Sequence, residues 1–174
     1  MLTVGHCIAR RGTVRDVEPK VHEDLEPLAF LLGTWRGEGK GAYPTIEEFA
    51  YSEEISFSHI GKPWLAYSQR TKHPVKGFPM HAETGYWRPI AGDRVEIVLV
   101  HPTGISEIQE GSVRGTTVDV ATKSVTRTST AKEVSALERT FTVEGDVMRY
   151  EVRMAAVGLP LQPHLSAELR RVEE

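Results

Sequence analysis

The sequence predicts an all-β protein, an antiparallel up-and-down barrel of roughly ten strands with a short N-terminal helix capping one end. Three observations carry that prediction. Met148, Tyr150, Val152 and Met154 alternate strictly with Arg149, Glu151 and Arg153, the period-two mark of a strand with one buried face. Roughly ten short strand-like runs are separated by turns about every 8–12 residues, with links short enough for a meander. Only one stretch, from His22 to Leu32, has helical spacing.

Residues 1–21 mix Arg, Gly, Thr and Asp without a period and are expected to form a poorly ordered extension, leaving 22–174 as the barrel domain. In the helical stretch Leu25, Leu28, Ala29 and Leu32 fall on one face, Asp24 suits the cap, Pro27 the first turn and Gly33 the stop. The next run, Gly33-Thr34-Trp35-Arg36-Gly37-Glu38-Gly39, reads Gly-x-Trp-x-Gly-x-Gly. Trp35 is a large apolar plug fit to seal one end of a barrel, and glycines allow a sharp bend and close backbone approach. A phosphate cradle would need a helix after the loop, whereas strand-like sequence follows here.

Further strands are expected over Phe49–Phe57, Trp64–Thr71, Glu83–Pro89, Val95–His101, Ile105–Gly111 and Thr116–Val125. Leu137, Phe141 and Val143 alternate with Glu138, Thr140 and Thr142 in the next one, and a final strand follows His164. Between them stand turn signals such as Ala91-Gly92-Asp93, Pro102-Thr103-Gly104, Arg114-Gly115 and Glu144-Gly145-Asp146. A barrel of about ten strands is wider than its side chains can fill, so it is expected to hold a ligand.

A chain of 174 residues is one domain with room for a core and a cavity. Lys+Arg 21 against Asp+Glu 24 gives a net charge of -3 without runs of one sign, so no nucleic-acid partner is expected. No apolar run reaches the ~18 residues of a membrane span. The single cysteine, Cys7, cannot close an intrachain disulfide, and Arg10, Arg11, Arg15 and Asp16 interrupt any secretory leader, so a cytoplasmic location is expected.

None of the seven histidines forms a His-x-His or His-Glu-x-x-His pair, so a protein-only zinc or iron site has no local signature. A Gly-x-Ser-x-Gly elbow is also missing. His164 stands apart because it lies in the rigid run Pro160-Leu161-Gln162-Pro163-His164-Leu165, the way a protein presents one axial imidazole to a haem iron. Strict alternation with Leu165, Ala167 and Leu169 would point His164 away from the interior, so it must precede the regular strand or face a partly polar interior. Met80, His81, His101 and Met154 are candidate cavity residues, Met154 on the inward face of its strand and methionine well suited to a flat ligand. Lys132 reads as a loop cation, and Arg139 shares a face with Leu137 and Phe141, where it could hold a ligand carboxylate.

Taken in order, Gly-x-Trp-x-Gly-x-Gly, Tyr43-Pro44-Thr45, Met80-His81-x-Glu83-x-Gly85-Tyr86, His101-x-x-Gly104 and His164-Leu165 resemble the nitrobindins, haem-binding β-barrels similar in shape to fatty-acid-binding proteins. The likeness runs from about Leu25 to Val172 and looks strongest toward the small stand-alone actinobacterial type. The resemblance implies ferric haem b with His164 as the proximal ligand, and Met80, His81, His101 and Met154 lining the haem cavity. It implies Thr45 and Lys132 as further haem contacts, the lysine near a propionate. It also implies nitric oxide binding and isomerisation of peroxynitrite to nitrate, with a homodimer left open. His101 stands where other members often carry Gln, which changes the distal polarity. Two other readings stay open on the residues alone: a fatty-acid-binding-like carrier of an apolar ligand, and an interaction barrel with a filled interior.

Overall fold

The computed structural model describes residues 19–173; the expected extension lies outside them as far as residue 18. Ten antiparallel strands follow one another: β1 (Gly33–Tyr43), β2 (Ile46–Ser58), β3 (Leu65–Lys72), β4 (Pro79–Pro89), β5 (Arg94–His101), β6 (Ile105–Arg114), β7 (Thr117–Arg127), β8 (Val134–Glu144), β9 (Val147–Ala156) and β10 (Gln162–Arg171). Each pairs with its sequence neighbours, and β1 pairs with β10 to close the barrel. The expected architecture is the observed one.

The helix differs from expectation in kind. Glu23–Leu31 is a 3₁₀ helix, capped by the His22 side chain, which accepts from the Asp24 N–H. Asp24 is therefore inside the first turn and not the cap. The physical reason is the apolar spacing. Leu25, Leu28 and Leu31 recur every third residue and all three are buried, as a helix with three residues per turn requires. A wider α-helical turn would have swung Leu31 off that face.

This helix lids the end of the barrel where β1 begins. There the inward positions are filled by Trp35, Phe57, Leu65, Trp87, Val118, Met148 and Leu169, all at or near zero exposure. Trp35 is held from three sides: its Nε1 donates to the Leu31 carbonyl at 2.8 Å, the Arg171 guanidinium lies 4.0 Å from its ring, and Arg171 donates in turn to the Phe30 and Leu32 carbonyls. Trp87 packs edge-on to Phe57 and Phe141, with centroids 5.1 and 5.2 Å apart.

The glycines of the motif work mainly through close approach. Only Gly33 among them adopts positive φ, at 110°. A Cβ on Gly37 would fall 2.0 Å from the Glu168 carbonyl oxygen, and one on Gly39 would fall 2.3 Å from the Tyr51 ring. The motif thus lets β10 and the aromatic residues of β2 crowd against β1.

Candidate functional site

At the end opposite the lid the barrel is open onto a cavity of about 280 Å³. Its walls are mostly apolar, with Ile46 and Phe49 on β2, Ile105 on β6, Val134 and Leu137 on β8, Val152 and Met154 on β9, and Leu165 on β10. Met80, His81, His101, Met154 and His164 all line it. Thr45 and Lys132 do not. Thr45 lies exposed in the turn joining β1 and β2, and Lys132 lies exposed in the loop between β7 and β8.

A slip in the ladder puts His164 in the cavity. Pro163 pairs with Arg153 and Leu165 with Val152, so His164 is the extra residue of a β-bulge. A bulge breaks strict alternation and re-aims a side chain, and here His164 and Leu165 both reach the cavity. That resolves the conflict between the alternation of β10 and an inward His164. A second slip does the same on β4, where Thr71 pairs with His81 and Lys72 with Pro79, leaving Met80 extra. Met80 and His81 consequently share the cavity although they are consecutive.

His164 is oriented before any ligand arrives. Its Nδ1 lies 3.0 Å from the Ala42 carbonyl oxygen, which can only accept, so Nδ1 carries the proton and donates. Burial lowers the imidazole pKa, helped by the charges of His81 and Arg139 and opposed by the Ala42 bond, which keeps the ring neutral. Nε2 is then a free lone pair. Tyr43 packs edge-on at 5.5 Å and is itself fixed, accepting from the Ala156 N–H at 2.9 Å. An imidazole with one nitrogen engaged by a carbonyl and the other free is the arrangement of an oriented metal ligand. Together with the mostly apolar walls, it fits an axial haem ligand.

The opposite wall is polar. In the closed strand order β5 lies five strands from β10 in either direction, so His101 at its end stands across the barrel from His164. His101 Nδ1 is 3.3 Å from His81 Nε2 and 3.4 Å from Glu83 Oε2. Its Nε2 lies 2.7 Å from Glu107 Oε1, outside good hydrogen-bond alignment.

Below these histidines a charged layer separates the cavity from the apolar lid end. Arg139 donates to both oxygens of Glu83, at 2.7 and 3.1 Å, and to Glu107 at 3.1 Å. Burial pushes both carboxyls upward, yet the guanidinium beside them, with the histidines, holds them below the usual carboxylate range. Next to this layer Tyr150 donates to Glu53 at 2.8 Å, while Gln69 also donates to Glu53 and Tyr51 joins Tyr150 at 2.8 Å. Here burial wins, and the Glu53 carboxyl is pushed up to about 7 in spite of the bonds from Gln69 and Tyr150.

Sequence reasoning missed this layer. Its signal was a charged or amide residue on an inward alternation face: Glu53 between Tyr51 and Ile55, Glu107 and Gln109 after Ile105, Arg139 between Leu137 and Phe141. Arg139 does point inward as expected, but both of its terminal nitrogens are engaged by Glu83 and Glu107, and only Nε is without a partner among the described residues, so no two-pronged fork is left for a fatty-acid carboxylate.

Comparison with known proteins accords with this geometry. The model of the THAP4-like, heme-binding β-barrel domain matches residues 24–171. A Nocardia farcinica protein named peroxynitrite isomerase is 54% identical over 166 residues, covering 92% of this chain and 99% of its own. A Mycobacterium marinum protein named peroxynitrite isomerase 2 is 52% identical over 155 residues, covering 87% and 96%. The solved crystal structure of Rv2717c from M. tuberculosis superposes with a TM-score of 0.84 at 44% identity, covering 88% of this chain and all of that one.

Proposed function

The chain belongs to the THAP4-like heme-binding β-barrel family, and from that premise we propose that it holds ferric haem b through His164 and isomerises peroxynitrite to nitrate. Nitric oxide is the second small ligand of this reading, and the cytoplasm its setting. Among the described residues no helix is long and apolar enough to cross a membrane. One observation supports the reading above the others: the bulge that turns His164 into the cavity with Nδ1 committed to Ala42 and Nε2 free.

When bound, ferric haem with one protein ligand supplies a Lewis-acidic iron able to take an anion. The chain's own residues do the rest. Ala42 and Tyr43 fix the plane of the His164 ring. Phe49, Leu137, Val152, Met154 and Leu165 supply an apolar wall that excludes water and strengthens every charge interaction inside it. On the far wall His81 and His101 are polar groups able to donate to an incoming anion, and the buried carboxylates of Glu83 and Glu107 orient them. Thr45 and Lys132, exposed at this rim, are proposed as outer contacts, the lysine for a propionate.

Hemin titration of the His164→Ala variant tests the reading. Wild type is expected to bind one equivalent with a sharp Soret band, and the variant to lose that affinity while its far-ultraviolet circular dichroism is unchanged. A variant that keeps the Soret position and affinity would remove His164 as the ligand.

A further inference from the structure

The three donors facing the cavity from the wall opposite His164 have a spacing that hydrogen bonding alone does not require. His101 Nδ1 to His81 Nε2 is 3.3 Å, His101 Nδ1 to Glu83 Oε2 is 3.4 Å, and His81 Nε2 to Glu83 Oε2 is 3.7 Å. Ligands of a tetrahedral zinc site with bonds of about 2.0–2.1 Å stand roughly 3.3–3.4 Å apart along each edge. The triangle of donors therefore has nearly the dimensions of one face of such a site.

We propose that His81, Glu83 and His101 form a second metal site, of two imidazoles and one carboxylate, for a divalent transition cation such as Zn²⁺. The ligand set comes from two neighbouring strands. His81 and Glu83 are two apart on β4 and so face the same way, and His101 ends the adjacent β5. Such a set leaves at least one position open, as sites that bind a small exogenous ligand do.

The surroundings are those of a metal site. His101 Nε2, the nitrogen turned away from the triangle, lies 2.7 Å from Glu107 and is otherwise unpartnered, so Glu107 stands where a carboxylate behind a ligating histidine would fix its tautomer and raise its basicity once the ring aligns. Arg139 grips Glu83 from behind through both oxygens, and each carboxylate oxygen has a further lone pair to offer. Charge also balances in the right direction. Glu83 and Glu107 against Arg139 leave one net negative charge, and a dication would turn that into one net positive charge at the cavity wall. The ligand class for the open position is thus a small anion: hydroxide, nitrite or peroxynitrite.

This site does not depend on the haem reading, because it can be tested in the haem-free full-length chain. After chelator treatment, equilibrium dialysis against Zn²⁺ is expected to give one tight equivalent. Co²⁺ substitution should show the intense visible bands of a low-coordinate ion. His164→Ala should bind the same amount, whereas His81→Ala and His101→Leu should bind at least about 100-fold more weakly, more than the loss of an outer-shell partner costs. His101→Gln keeps a polar partner for Glu107 but offers no imidazole, so it should fail even if the leucine variant folds poorly. Glu107→Gln should weaken binding by about 10–100-fold without abolishing it. No stoichiometric binding by wild type, or binding that survives in His81→Ala and His101→Gln, overturns the site. Loss of haem in His164→Ala with Zn²⁺ retained would separate the two centres cleanly.

Discussion

The two ends of this barrel are built from the same ten strands yet finish in opposite ways. At the lidded end the inward positions are packed with apolar side chains, and Trp35, Trp87, Phe57 and three leucines of the 3₁₀ helix are fully buried there. At the open end apolar side chains line a cavity without filling it, one wall turns polar at His81 and His101, and the ladder slips at His164 and Met80. Between them lies one layer of charge. The contrast shows how a chain keeps a cavity open without collapsing: close packing at one end supplies the stability, and a buried ionic layer separates that packing from the site. Replacing either component should therefore have distinct consequences.

The largest effect is expected from Arg139→Met. The substitution leaves Glu83 and Glu107 buried without their cation, and breaking a buried pair on one side costs about 3–5 kcal/mol. Urea unfolding would measure it. A companion Glu83→Gln/Glu107→Gln/Arg139→Met variant should recover most of that loss, because no unpaired charge remains. If the single and triple variants are equally unstable, the layer matters through shape and not through charge.

Trp35→Ala should follow at roughly 3–5 kcal/mol, the usual cost of truncating a buried aromatic residue. Its readout differs from that of the charged layer. The midpoint should fall while hemin affinity of the folded fraction stays near wild type, since Trp35 touches the lid and not the cavity. Intact stability with lost haem binding would reverse the assignment of the two ends.

Much of this contrast was legible in the sequence. The turn signals and period-two runs fixed the number and order of strands, because each is a local pattern set by backbone geometry. Trp35 as a plug followed from its setting among the glycines of β1, and Met154 as a cavity residue from the alternation of β9. What stayed hidden depends on cross-strand neighbours. Alternation says that Arg139 faces inward but not that Glu83, 56 residues away, fills its guanidinium fork. It also fails wherever a bulge inserts a residue, so alternation conflicted with an inward His164 on a strand that in fact slips at that position. His81, Glu83 and His101 lack a metal motif because their spacing is made by pairing two strands and not by one local run. The 3₁₀ helix was readable in the three-residue spacing of its leucines, although an α-helical period fits the neighbouring Ala29 and Leu32 as well.

The smallest expected effect locates the boundary between the two ends most finely. Glu53 is 4% exposed, and its carboxyl is pushed up to about 7, first by burial and then by the nearby Glu83 charge, against the bonds from Gln69 and Tyr150. The folded state therefore holds the Glu53 proton more tightly than the unfolded chain, whose glutamates titrate near 4.3. A raised pKa of this kind contributes stability that is full below the unfolded value and is lost as pH rises through the folded one. Between about pH 4.3 and 7 wild type should thus weaken relative to Glu53→Gln, by roughly 3.7 kcal/mol at most. The glutamine keeps an acceptor for Tyr150 and cannot ionise. Unfolding free energies of both proteins at pH 5, 6, 7 and 8 give the difference directly, because every other titrating group is common to the two. The difference should grow up to about pH 7 and then level off. Parallel curves would mean that Glu53 is ionised throughout that range and belongs to the charged layer, moving the start of the neutral interior one inward position deeper, to Ile55.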